Sequence, residues 1–195
     1  MKTIEQYISH LWHKYLQSNH KDILLRYLHS LAVLKEAEVL VKRFSLPVDL
    51  EKVRIAAVLH DYAKFESEER FRELAQKYKV ASAIMKMSPK IWHALLGPYV
   101  ITEDLLITDT DILDAVRWHT TGSINMNLTA EVIFLADFID ASRIEGYFDE
   151  VKTVAQTDFK KAISLKIKWK MIELNDYSEK QINLYNKYAE VKWKF

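Results

Sequence analysis

The chain has 195 residues, of which 49% are hydrophobic, 28% charged and 12% aromatic, and its 28 Lys and Arg nearly cancel 27 Asp and Glu to leave a formal net charge of +1. That composition excludes a disordered chain, and the even balance leaves no global field to attract nucleic acid or a membrane surface. There is no cysteine, so disulfides, iron–sulfur clusters, thiolate zinc sites and cysteine nucleophiles are excluded, and any metal must be held by His nitrogen and carboxylate oxygen.

Only 3 Gly and 3 Pro occur. Few turn-formers disfavour a many-stranded sheet and favour helices joined by short loops, so the expected fold class is all-α. No repeat, low-complexity tract or linker interrupts the chain, and one domain over 1–195 is expected. The opening MKTIEQYISHLWHKYL is polar throughout and is no secretory signal. No apolar run is long enough for a bilayer. A reducing cytoplasm is the expected location, and a monomer or a homodimer the expected assembly.

Over 23–44, Leu24, Leu28, Leu31, Leu34, Ala32 and Val39 recur at helical spacing. Asp49 is placed to cap a helix through Val53, Ala56, Ala57 and Leu59. Further helices are expected over 68–78, 91–101 and 111–118. The segment 129–140 is apolar almost all round and is expected at the centre. Two polar-faced helices follow, over 159–174 and 178–192. Within the first, LKIKWK also fits a period-two strand, and its surroundings favour helix. The run KKAISLKIKWK is read as a solvated face.

Polar residues stand out where they interrupt apolar helices. His29 breaks LLRYLHSLAVL, His60 and Asp61 close IAAVLHDYA, and His93 lies in IWHALLG. His119 ends ILDAVRWH, and Asp137 sits within VIFLADFID. Burying an imidazole or a carboxylate is costly unless it is paired or bound to metal. Each residue alone has an ordinary explanation, as a satisfied core histidine or a helix cap. Together they point to a shared metal site. Adjacent His and Asp at a helix end can converge on an ion wedged there, and a carboxylate can bridge two ions. Such a nitrogen and oxygen site admits Fe, Mn, Co, Ni or Zn.

The order His, His-Asp, His, His, Asp, with the words RYLHSLAVLKEAEVL, AAVLHDYAK, WHALLG, AVRWHTTG and VIFLADFIDASR, resembles the YqeK-type family of HD-domain phosphohydrolases. The resemblance covers about 26–155, leaving 156–195 as C-terminal helices. It implies an HD-type helical bundle that cleaves diadenosine tetraphosphate symmetrically into two ADP. It also implies that His29, His60, Asp61 and Asp137 hold one metal, and that Asp61 bridges to a second held by His93 and His119. Iron is the metal the resemblance favours. The chain departs from the family at Ala94 and Pro98, and its C-terminal third lacks the family's closing His-Pro.

A substrate with about four negative charges needs local cations in a neutral chain. Arg26, one turn before His29, Lys64, one turn past His60, and Arg143 are the candidate phosphate contacts, with Thr120, Thr121 and Gly122 as a polar loop after His119. Asp61 and Lys64 are the candidate catalytic pair. Other nucleotide phosphatase or phosphodiesterase substrates remain open, as does a degenerate regulatory module of the same fold. His10, His13 and His20 are read as surface residues, and Trp12, Trp92, Trp118, Trp169 and Trp193 as packing residues, the second and third beside ligand positions. There is no Gly-rich phosphate loop, and so no attached nucleotidyltransferase.

Overall fold

A computed structural model describes residues 2–142 and 147–193, and among these there are helices and no strand. Arg143 lies outside the described residues. The helices are α1 (Ile4–Ser18), α2 (Ile23–Arg43), α3 (Leu50–Leu59), α4 (Glu68–Lys77), α5 (Ser82–Met85), α6 (Trp92–Leu95), α7 (Gly97–Leu105), α8 (Thr110–Trp118), α9 (Leu128–Ile139), α10 (Tyr147–Val154), α11 (Phe159–Leu174) and α12 (Glu179–Tyr188). A 3-10 turn, Pro89–Ile91, leads into α6.

Local chemistry sets many of the boundaries. Asp49 caps α3 as expected, its carboxylate accepting from the main-chain N–H groups of Glu51 at 2.9 Å and Lys52 at 3.3 Å. Asn127 caps α9 through Ala130 N at 2.8 Å. Asp109 does the same for α8, and Asp158 for α11. Thr3 and Gln6 form a reciprocal capping box on α1.

The expected helix over 91–101 is instead two, α6 and α7. Pro98 has no N–H to continue the first, but its fixed φ suits the first turn of the second. The last helix stops at Tyr188 rather than at 192. LKIKWK is helical, inside α11. The short helices α5 and α10 were not anticipated.

At the centre, α3 buries Val53 and every residue from Ile55 to Leu59, and α9 is buried almost all round, as its composition predicts. α2 and α3 pack together, α8 packs on both α3 and α9, and α11 packs on α9, α10 and α12. Buried Glu131 of α9 ties the C-terminal helices down: it accepts from the Tyr188 hydroxyl at 2.8 Å, pairs with Lys187 at 3.2 Å, and also pairs with Lys160. Among the described residues, no helix is long and apolar enough to cross a membrane.

Gly122, offered above as a phosphate contact, is a structural residue. It is buried at φ +64°, and its N–H already closes the end of α8 on Trp118 O at 2.8 Å. A Cβ there would stand 2.8 Å from Leu184 Cδ2 and 3.2 Å from Phe134 Cε2. Left-handed backbone plus the crowding should make Gly122→Ala less stable by about 1–3 kcal/mol, read from the urea midpoint. An unchanged midpoint would contradict this account.

Candidate metal centre

Five separate elements deliver the polar residues to one place. α2 carries Arg26 and His29. α3 ends in tight turns, with Tyr62 N bonding Leu59 O at 3.0 Å and Lys64 N bonding Asp61 O at 2.8 Å. His60 itself keeps right-handed helical backbone, so His60 and Asp61 sit at the edge where α3 gives way to those turns. α6 brings His93, the end of α8 brings His119, and α9 brings Asp137. From α1, the buried Tyr15 hydroxyl donates to the main-chain carbonyl of Asp61 at 2.9 Å and fixes the turn.

The six expected ligand residues do converge. His29 Nε2 lies 3.0 Å from Asp137 Oδ1 and 3.3 Å from His60 Nε2. His60 Nε2 is 3.7 Å from Asp137 Oδ1 and 3.8 Å from Asp61 Oδ2. On the other side of the same carboxylate, Asp61 Oδ1 is 3.1 Å from His93 Nε2 and 3.5 Å from His119 Nε2. Two trios have donor atoms close enough to share an ion: His29, His60 and Asp137, and His60, Asp61 and His119. His93 stands beside the second through Asp61. Asp61 Oδ1 is buried and accepts no well-formed hydrogen bond, so it has a lone pair to offer. Imidazole and carboxylate without thiolate suit a divalent transition metal.

The far ring nitrogens are also held. Nδ1 of His60 lies 2.7 Å from Ala57 O, and Nδ1 of His119 lies 2.7 Å from Val116 O. A carbonyl only accepts, so Nδ1 carries the proton in both and Nε2 keeps its lone pair toward the centre. His29 Nδ1 faces Asp140 Oδ2 at 3.4 Å and Ser142 Oγ at 3.2 Å. Asp140 is in turn fixed by Ser142 N at 2.8 Å. This carboxylate–imidazole–carboxylate relay orients His29, and the sequence reading missed it.

Burial pushes His60 down to about 3 and lowers His93, so both stay neutral and able to donate electrons. Burial also pulls on His29, but hydrogen bonds to Asp137 and Asp140 overcome it and raise that imidazole to about 9. Without metal, His29 therefore holds a proton facing Asp137. A metal ion competes for the same lone pair. Burial opposes ionisation of Asp61 and Asp137, yet the Lys64 ammonium keeps the first well below the usual carboxylate range. The hydrogen bond from His29 does so for the second.

Arg26 Nη1 lies 3.5 Å from Asp61 Oδ2, and Lys64 Nζ lies 3.4 Å from Asp61 Oδ1 and 3.1 Å from His93 Nε2. Both cations line two cavities, the smaller of which also has Asp61 in its wall. One, of about 160 Å³, is also walled by Thr120, Asp137 and Lys166. The other, of about 440 Å³, runs along Trp92, Pro89 and Lys90. Of the expected polar loop only Thr120 reaches a cavity; Thr121 turns its hydroxyl to Gly122 O at 3.3 Å.

The reading of KKAISLKIKWK as a solvated face needs correction. Lys166 is only 2% exposed. Its ammonium donates to His119 O at 3.3 Å and to Phe134 O, and lies 3.5 Å from the Phe134 ring centroid. Its spacing from Ile163 and Ile167 put it on the buried side, a signal the charge run concealed.

The remaining histidines and tryptophans behave as expected. His13 Nδ1 bonds Ser9 O at 2.7 Å, His20 stacks on Phe65 at 4.5 Å, and His10 lines a separate recess on α1. Trp92 is buried and donates to Ile84 O at 3.2 Å. Trp12 packs on Tyr27, Trp169 donates to Glu150, and Trp193 packs on Tyr177. Trp118 is half-buried, with the Arg117 cation 6.0 Å from its ring.

Comparison with known proteins agrees with this geometry. A profile described as "HD domain" matches residues 26–142. The chain is 38% identical over 149 residues to a Bacillus subtilis protein named "Bis(5'-nucleosyl)-tetraphosphatase, symmetrical", covering 76% of this chain and 79% of the relative. A Halalkalibacterium halodurans protein of the same name is 38% identical, covering 71% and 73%. A solved structure from Clostridium acetobutylicum, described as a "predicted HD superfamily hydrolase involved in NAD metabolism", superposes with a TM-score of 0.75 at 26% identity, over 96% of this chain and 97% of that one. With the motif order, the buried His and Asp cluster and these matches together, the chain belongs to the HD domain family, among its YqeK-type members.

Proposed function

We propose that this protein is a metal-dependent hydrolase that cleaves diadenosine tetraphosphate symmetrically into two ADP. The observation that carries the reading is the convergence of four imidazoles on two buried carboxylates beside two cation-lined cavities, in a chain whose relatives carry the name of that activity. Two divalent ions, iron by resemblance, would be held by His29, His60, Asp61 and Asp137 and by Asp61, His93 and His119. Bound there, they supply Lewis acidity toward water and the phosphoryl oxygens.

The chain's own residues do the rest. Arg26 and Lys64 face both cavities and neutralise the phosphates nearest Asp61. Thr120 offers a hydroxyl to a phosphate oxygen. Neutral His60 and His93 present lone pairs, and Asp61 offers one oxygen to each side. One water adds to an inner phosphorus, the bond from that phosphorus to the central bridging oxygen breaks, and each half departs as ADP. The leaving phosphate is weakly basic and needs little help from an acid, so positioning and charge neutralisation suffice.

The products decide the reading. Protein reloaded with Fe²⁺ or Mn²⁺ should give ADP alone by chromatography, and equal AMP and ATP would refute symmetric cleavage. Asp61→Ala should lower kcat by more than about a hundredfold, since even groups that merely support a ligand cost up to that much. Full activity in that variant sinks the shared-ligand role. Asp140→Asn leaves every ligand in place but loosens His29, so metal affinity in a calorimetric Mn²⁺ titration should fall about 10–100-fold; unchanged affinity would show that the relay is idle.

A further inference from the structure

Arg26 and Lys64 are both engaged with Asp61, yet a bridging tetraphosphate carries about four negative charges into a chain of net charge +1. More positive charge is needed, and the smaller cavity has it on the α11 side. Lys166 and Lys170 both line that cavity with Asp137 and Thr120. They are four apart, so they share one face of the helix, about 6 Å apart along its axis. Lys168, between them, points to solvent.

The two lysines are held differently. Lys166 is buried, which costs several kcal/mol for an ammonium unless its surroundings compensate. Its bonds to His119 O and Phe134 O tie the end of α8 and the middle of α9 to α11. Lys170 is 37% exposed, and its ammonium pairs at 2.7 Å with Glu173. Such a surface pair is worth little and yields readily to a phosphate.

Resting on the functional reading above, we propose that α11 forms the second wall of the phosphate site: Lys170 binds the phosphates of one departing nucleoside diphosphate, and Lys166 is a positioning residue that holds His119 and α9 in register and adds fixed positive charge beneath them. The C-terminal helices are then part of the substrate site, although the ligands all lie earlier in the chain.

Calorimetric titration of ADP into Mn²⁺-loaded protein tests this, alongside ADP release from diadenosine tetraphosphate. Lys170→Gln should weaken ADP about tenfold, the value of one hydrogen bond to a charged group, and raise KM with kcat little changed. Lys168→Gln removes the same charge from the solvent side of the same helix and should stay within about twofold, because an exposed charge is screened. Lys166→Met should weaken ADP in the folded protein, whereas a purely structural lysine would lower the unfolding temperature and spare ADP affinity in the folded protein. If Lys166→Met does not fold, the Lys170 and Lys168 pair decides alone. Equal effects of those two, or none from Lys170→Gln, in a protein whose wild type still makes ADP, overturn the proposal. A wild type that neither binds nor releases ADP overturns the functional reading, and the proposal with it.

Discussion

The buried carboxylate of Asp61 imposes the constraint from which the rest of the site follows. An ionised carboxylate that is 2% exposed must be surrounded by positive charge or donors, because its desolvation costs several kcal/mol. The chain meets that need from many directions at once. Arg26 and Lys64 bring the positive charge, Tyr15 holds the main chain, and the Nε2 atoms of His60, His93 and His119 that crowd the same carboxylate are the ones a metal ion would join to it. His60 and Asp61 lie where α3 gives way to turns, within reach of partners from several elements at once.

That cluster needs a rigid frame, since donor groups must stay within a few tenths of an ångström of a working geometry. The frame is the apolar packing of α3, α8 and α9, whose buried Val, Ile, Leu and Ala side chains surround the ligands on the side away from the cavities. Hydrogen bonds from Nδ1 of His60 and His119 to the main chain of their own helices lock two rings to that frame. His29 is locked to the turn after α9 instead, through Asp140 and Ser142. Packing therefore sets where the rings stand, and hydrogen bonding sets which nitrogen they present.

Net charge is a poor guide to such a molecule. The even count of acids and bases conceals local order: Arg26 and Lys64 line both cavities, joined by Lys166 and Lys170 in one and by Lys90 in the other. Glu131, pairing with Lys160, Lys187 and Tyr188, seats α11 and α12 against α9 and so brings two lysines to the smaller cavity. A nearly neutral chain can in this way concentrate positive charge at one site.

Much of this was legible in the sequence because each feature breaks a local rule. An imidazole or carboxylate inside an apolar helix contradicts its setting, and periodicity with caps such as Asp49 fixes helices to within a residue or two. Those contradictions located all six candidate ligands and the all-helical class. Tertiary structure alone decided what depends on distance between segments. It split 91–101 at Pro98, buried Gly122 under Leu184, drew Asp140 behind His29, and buried Lys166 in a run that reads as surface. The physical reason is the same in each case. One-dimensional patterns report whether a residue suits its own helix, whereas a charge or a glycine is judged by what another helix places against it.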